Sequence, residues 1–178
     1  MVRGKVIWLT GMSGAGKSTI ASGASLLLGE MGISVHQIDG DDVRKSYGRS
    51  LGFSRTDILH NNQTVVQLAN VEKKIFDLVL ITVIGPLNAG RLLAREAFAP
   101  NFAEVYVSAK LDTLQKRDTK GLYSQAACGE INDLIGVGNG VTYELPSDPE
   151  LLIDTDGEGV HESVGNFVKF ANSFCNKY

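Results

Sequence analysis

Residues Gly11-Met12-Ser13-Gly14-Ala15-Gly16-Lys17-Ser18 meet the pattern G-x-x-x-x-G-K-[ST] in full, and they sit between two different hydrophobic patterns. Ahead lies Val6-Ile7-Trp8-Leu9, a continuous apolar run of the kind found in a strand buried on both faces. Behind, Ile20, Ala24, Leu27, Leu28 and Met31 recur at helical spacing until Gly32 ends them. Strand, glycine turn and helix in that order bring inward-turned backbone N–H groups and a helix N-terminus to one point. Such a point is a cradle for phosphate. Gly11, Ser13, Gly14, Ala15, Gly16, Lys17, Ser18 and Thr19 are therefore the expected contacts of a nucleoside triphosphate. Lys17 reaches the β- and γ-phosphates of ATP and Ser18 holds Mg2+.

The alternation continues along the chain. Ile33–Ile38 reads as a strand closing on Asp39-Gly40-Asp41, and residues 57–76 as a helix with Val65, Leu68, Ala69 and Phe76 roughly on one face. Residues 78–84 are the strongest strand, followed by a helix at 89–98, a strand at 104–107 and a helix at 111–117. Residues 118–149 are glycine-rich and polar, 151–153 form a last strand, and an amphipathic helix from Val160 to Phe174 closes the chain. Strands alternating with helices imply an α/β fold, a parallel sheet covered on both faces. Ligands of such sheets bind at the carboxyl ends of the strands.

A phosphate site of this type needs a carboxylate. The strand at 78–84 runs into Gly85-Pro86 and offers none, whereas the preceding strand ends in Asp39 with Asp41 two residues on. Asp39 is assigned to Mg2+ through water, and Asp41 to aligning or deprotonating an acceptor hydroxyl.

Composition narrows the partners. Seventeen Lys and Arg against twenty Asp and Glu give a net charge of −3, which argues against a nucleic-acid or membrane surface. No apolar run reaches the ~20 residues of a membrane span, and no signal-peptide pattern follows the N-terminus. The expectation is a cytoplasmic protein. Cys128 and Cys175 are far apart in no metal-like spacing and read as reduced thiols.

Over nearly its whole length the chain resembles the adenylylsulfate kinases. The resemblance rests on "GMSGAGKST", "DGDDVR", "LGFS", "RLLAR", "RDTKGLY", "GEI" and "DPELLIDTD", in the family's order and spacing. It implies a P-loop kinase fold: one domain over residues 1–178, a five-stranded mostly parallel sheet between helices, and a mobile lid at about 119–145. It implies transfer of the γ-phosphate of ATP to the 3′-hydroxyl of adenosine 5′-phosphosulfate, and a homodimer. By the same resemblance Arg117 lies near the ATP adenine, Lys120 faces the transferring phosphate, and Leu122 lies at the substrate. Asp41, Arg44 and Asn61 touch the acceptor, and Phe53 stacks on its base.

The sequence departs from the family on the acceptor side. The arginine of the family's Asp-Arg pair is Ile58, and two later arginines are Gln63 and Thr64. The family's Ser-Pro-Tyr-Arg is Gly85-Pro86-Leu87-Asn88, and its "KGFTGID" is residues 132–138, Asn-Asp-Leu-Ile-Gly-Val-Gly. Arg49, Arg55 and Arg91 are the candidates to replace the lost charge. Two alternatives stay open: the same kinase chemistry on another nucleotide-linked hydroxyl, for example a cytidine-based activated nucleotide, or a non-catalytic ATP-binding regulator.

Overall fold

In the computed structural model, which describes residues 4–46 and 51–176, β1 (Lys5–Thr10) is the middle strand and is buried along its whole length. It pairs in parallel with β3 (Leu78–Thr82) on one side and β4 (Phe102–Ser108) on the other. β2 (Val35–Asp39) adds to β3, and β5 (Leu151–Asp154) adds to β4, giving the order β2-β3-β1-β4-β5 with every pairing parallel.

The period of two along each strand divides the core. Ile7, Leu9, Leu78 and Leu80 face α1 (Lys17–Glu30) and α7 (Val160–Asn176), where Leu28, Phe167 and Ala171 complete one apolar cluster. Val6, Trp8, Val79 and Ile81 face the opposite way. There α3 (Arg55–Glu72) and α4 (Asn88–Phe98) supply Val65, Ala69, Ala94 and Phe98 to a second cluster.

The glycine stop after α1 is a closing turn of defined form. Gly32 takes φ 81°, and the Ile33 N–H reaches back to the Leu28 carbonyl at 3.0 Å. This turn uses Ile33, so β2 starts at Val35 rather than at residue 33. α3 begins earlier than the periodicity predicts, because the Ser54 hydroxyl oxygen accepts from the Asp57 N–H at 3.1 Å as an N-cap. It also ends earlier, at Glu72. Phe76 lies in the turn beyond, its ring stacked on His36 at 4.9 Å. α5 (Leu111–Arg117) has the predicted bounds. Two short helices go beyond the sequence reading: α2 (Gly40–Ser46) springs directly from β2, and α6 (Leu122–Ala127) lies in the glycine-rich segment. Both described cysteines are free, Cys128 exposed and Cys175 buried.

Candidate active site

The carboxyl ends of β1, β2 and β3 meet at residues 11–18. Gly11 has φ 153°, and a Cβ there would stand 2.3 Å from the Val107 carbonyl oxygen, so only glycine lets the loop leave β1 so close to β4. Lys17 is buried, and its Nζ donates to the Gly11 and Met12 carbonyls at 2.8 and 2.9 Å. Burial pulls its pKa down to about 8; nearby Asp41 opposes the shift and Lys120 adds to it.

Asp39 anchors the floor. Its Oδ1 accepts from the Asp41 N–H at 2.9 Å, and its Oδ2 accepts from the Thr82 and Ser18 hydroxyls at 2.9 and 3.1 Å. Burial alone would raise its pKa, but these three hydrogen bonds and the Lys120 charge outweigh it, so the carboxyl titrates below its usual range. A carboxylate and two hydroxyls beside a phosphate cradle are hard oxygen donors, the set that suits Mg2+. A cavity of about 160 Å³ opens above them, bordered by Lys17, Ser18, Asp39, Asp41, Thr82 and Lys120.

The segment from Arg117 to Ala127 leans over this cavity. Lys120 Nζ pairs with Asp41 Oδ2 at 2.5 Å, joining residues far apart in sequence. Asp118, at φ 27°, caps α6 by accepting from the Tyr123 and Ser124 N–H groups, both at 3.0 Å. The Tyr123 hydroxyl then donates to the Ser13 carbonyl at 2.8 Å, fastening α6 to the phosphate loop. Burial, and to a lesser degree Asp118, raises that phenol to about 12, so it remains a donor at neutral pH. Arg117 donates to Thr155 Oγ1 at 2.9 Å and to the Thr155 carbonyl at 2.6 Å. Thr155 Oγ1 in turn lies 3.2 Å from the Ala15 carbonyl, so Arg117 is held beside the loop.

On the other side of Asp41, Arg44 donates to the Gly52 carbonyl at 2.5 Å and lies 4.6 Å from the centroid of the half-exposed Phe53 ring. Arg44 thus fixes the loop that carries Phe53. Asn61 is buried, its amide nitrogen 3.4 Å from the Gly40 carbonyl and its Oδ1 unpartnered. Leu122 borders a chamber of about 390 Å³ together with Phe53, Ile84, Ile131 and Leu134.

Two of the three expected charge replacements, Arg91 and Arg55, are engaged elsewhere. Ile58 packs with Leu87 and Ile135 in a separate apolar cluster. Arg91 is 3% exposed and pairs with Glu104 at 2.8 Å, while also donating to the carbonyls of Gly85 and Glu144 and to the Asn88 side chain. Arg55 pairs with Glu144 at 3.2 Å. Arg49 lies outside the described residues. Sequence reasoning assigned no role to Thr82 or Thr155, and it placed Asp118 only in an arginine-aspartate pair near the ATP adenine and Tyr123 only at the start of the lid. The "KGLY" motif and the hydroxyl at the end of β3 were the signals available for two of them.

A family model described as adenylylsulphate kinase matches residues 3–154. The adenylyl-sulfate kinase of Geotalea uraniireducens (strain Rf4) is 39% identical over 166 residues, 93% of this chain and 79% of that protein. The APS kinase CysC of Mycobacterium tuberculosis, solved in complex with AMPPNP and APS, superposes with a TM-score of 0.88 at 34% identity, covering 97% of this chain and 99% of that one. A hexameric APS kinase from Thiobacillus denitrificans superposes with a TM-score of 0.69 at 26% identity, covering 99% of this chain and 30% of that one.

Proposed function

The chain belongs to the adenylylsulphate kinase family, and from that premise we propose the reaction and the roles of its residues. The protein is an ATP-dependent kinase that moves the γ-phosphate of ATP to the 3′-hydroxyl of adenosine 5′-phosphosulfate, giving ADP and 3′-phosphoadenylylsulfate. The observation that carries the mechanism is the convergence of Lys17, Asp41 and Lys120 on one cavity over the phosphate loop.

Residues 11–19 seat the triphosphate through backbone N–H groups. Ser18, and Asp39 through water with Thr82 in support, would hold Mg2+, and the ion would neutralise phosphate charge when ATP is bound. Arg117 borders the adenine. Phe53 receives the acceptor base, with Leu122 on the other wall, and Arg44 and Asn61 shape the acceptor's seat. Asp41 takes the proton of the attacking hydroxyl, or aligns it for in-line attack. Before substrates enter, Lys120 occupies Asp41. Once a phosphate lies between them, Lys120 turns its charge to that phosphate, which frees Asp41 for the hydroxyl. Residues 119–145 form the lid of a single domain spanning 1–178 and exclude water when closed.

We place this kinase in the cytoplasm as a homodimer with no nucleic-acid or membrane partner. In support, no helix among the described residues is long and apolar enough to cross a membrane, and the Thiobacillus denitrificans APS kinase, of which this chain covers 30%, is oligomeric. Light scattering of the purified protein tests the dimer. The reaction is tested by following ADP and the 3′-phosphorylated product together, with adenosine 5′-phosphosulfate as acceptor. Stoichiometric appearance of both is expected, and ADP without the second product removes the assignment.

A further inference from the structure

The acceptor cavity has two arms that differ in kind. Resting on the placement of the acceptor hydroxyl at Asp41, one arm is the chamber of about 390 Å³ between Phe53, Ile131 and Leu134, wide and apolar enough for a base. The other is a small chamber of about 30 Å³ between α2, α3 and the segment after β3, room for little more than one water-sized group. A nucleotide with its hydroxyl at Asp41 and its base in the wide arm has its 5′ substituent left for the narrow arm.

The narrow arm is almost free of net charge. Ile58, Pro86 and Ile135 wall it, and Asn61 and Asn62 supply amides. Ile58 is 3% exposed and packed on Leu87 and Ile135, so this wall is a fixed part of the core. Among the described residues that line the arm, the charged groups are Asp41 and Arg44, of opposite sign. Arg44 already donates to the Leu51 and Gly52 carbonyls. Of the candidate cations among the described residues, Arg91 is neutralised by Glu104 and Arg55 by Glu144. Asn61 Oδ1 and Asn62 Nδ2 are buried with no partner in the protein, so polar capacity remains at this end without countercharge. An anion entering here loses its hydration for little in return, whereas an uncharged hydrogen-bonding group does not.

We infer that the narrow arm selects an uncharged terminus, which extends this kinase to acceptor nucleotides whose 5′-phosphate carries a neutral substituent. The chemistry is unchanged. The bond between the γ-phosphorus and the bridging oxygen breaks, ADP leaves with that oxygen, a new bond forms to the acceptor hydroxyl oxygen, and its proton passes to Asp41.

The test compares kcat/KM for adenosine 5′-phosphosulfate and for adenosine 5′-(methyl phosphate), whose terminus is a neutral methyl ester, at saturating ATP and Mg2+. The wild-type protein is expected to use the methyl ester at least as well as the phosphosulfate. Ile58→Arg is expected to shift the ratio toward the phosphosulfate by about tenfold, the scale of one charge-assisted hydrogen bond, with the KM for ATP unchanged. Use of the methyl ester alone supports the inference and displaces phosphosulfate as the acceptor. A wild-type preference for phosphosulfate overturns the inference and leaves the proposed function standing. A folded Ile58→Arg protein with an unchanged ratio overturns the placement of the narrow arm. If that variant fails to fold, the wild-type ratio decides. Turnover of neither compound, in protein that binds ATP, overturns both readings.

Discussion

On the phosphate side of the cleft, the groups that form the cradle itself come from one continuous stretch of chain. Gly11 to Gly16 form one turn that runs straight into α1 at Lys17 and Ser18, and Asp39 is locked to it by Ser18 and to β3 by Thr82. On the acceptor side, Arg44, Phe53, Ile58, Ile84 and Ile135 come from segments spread over the middle of the chain, joined by a small apolar cluster and by Arg44 stacked on Phe53. The first site is a backbone conformation. The second is a packing arrangement, which one side-chain exchange can re-tune without disturbing the loop that holds ATP. Chemistry and selectivity are thereby kept on separate parts of the fold.

The sharpest way to break this division is at Lys17. Lys17→Ala is expected to lower kcat by about 10²–10³, the cost of losing one preorganised charge contact to a transition state. Steady-state ADP release measures it, and near-wild-type turnover would sink the phosphate-side assignment. Asp41 sits on the boundary between the two sides. Asp41→Asn is expected to lower kcat by about 10² while the KM for ATP stays within about twofold, since the carboxylate serves the hydroxyl and not the nucleotide. A matching rise in the KM for ATP would instead place Asp41 on the phosphate side.

Acidity separates the sides next. Lys17 in the free protein titrates near pH 8, its charged form disfavoured by burial. ATP binds the ammonium form. Below that pH the proton is already present, and above it a proton must be taken up on binding. Affinity for an ATP analogue is therefore expected to be flat below about pH 8 and to fall by about tenfold per unit above it. Calorimetric titration across that range, with proton uptake read from buffers of different ionisation enthalpy, checks the sign. Affinity that rises above pH 8 would contradict it.

The smallest expected effect is at the fastening between lid and loop. Tyr123→Phe removes only the hydroxyl that donates to Ser13. A neutral hydrogen bond of that kind is worth roughly 0.5–1.5 kcal/mol, so kcat should fall about three- to tenfold. In a Lys120→Ala background the same change should have little further effect, because Tyr123 acts by holding the segment that carries Lys120. Fully multiplicative losses would show that the two act separately.

Much of the phosphate side was legible in the sequence. The glycine loop, the strand ahead of it and Asp39 at a strand end can each be read from a few neighbouring residues, and the structure brings them together at one cavity. The short helices α2 and α6 were not read from the sequence, α2 because its Gly-Asp-Asp start reads as a turn after the strand and α6 because it lies in a glycine-rich stretch. α6 depends instead on Asp118 in a left-handed turn and on a tyrosine reaching a loop at the other end of the chain.

Arg91 marks the limit of sequence reading most clearly. As a residue type it is a cation next to a nucleotide site, and it was a natural replacement for the missing arginines. In the fold it is consumed by Glu104, a residue of the neighbouring strand, and by three carbonyl or amide oxygens. Arg55 is occupied in the same way by Glu144.

By itself the sequence determined the order of the strands and of every helix but α2 and α6, the phosphate loop and the identity of the groups around it. These follow from local backbone preferences and from apolar periods of two and about 3.6 residues. The tertiary structure alone decided that Lys120 meets Asp41, that Ile58, Leu87 and Ile135 close one end of the acceptor cavity, and that Arg55 and Arg91 are not free to serve it. The availability of a charge depends on which countercharge the fold brings within a few ångströms, and local patterns carry no record of that distance.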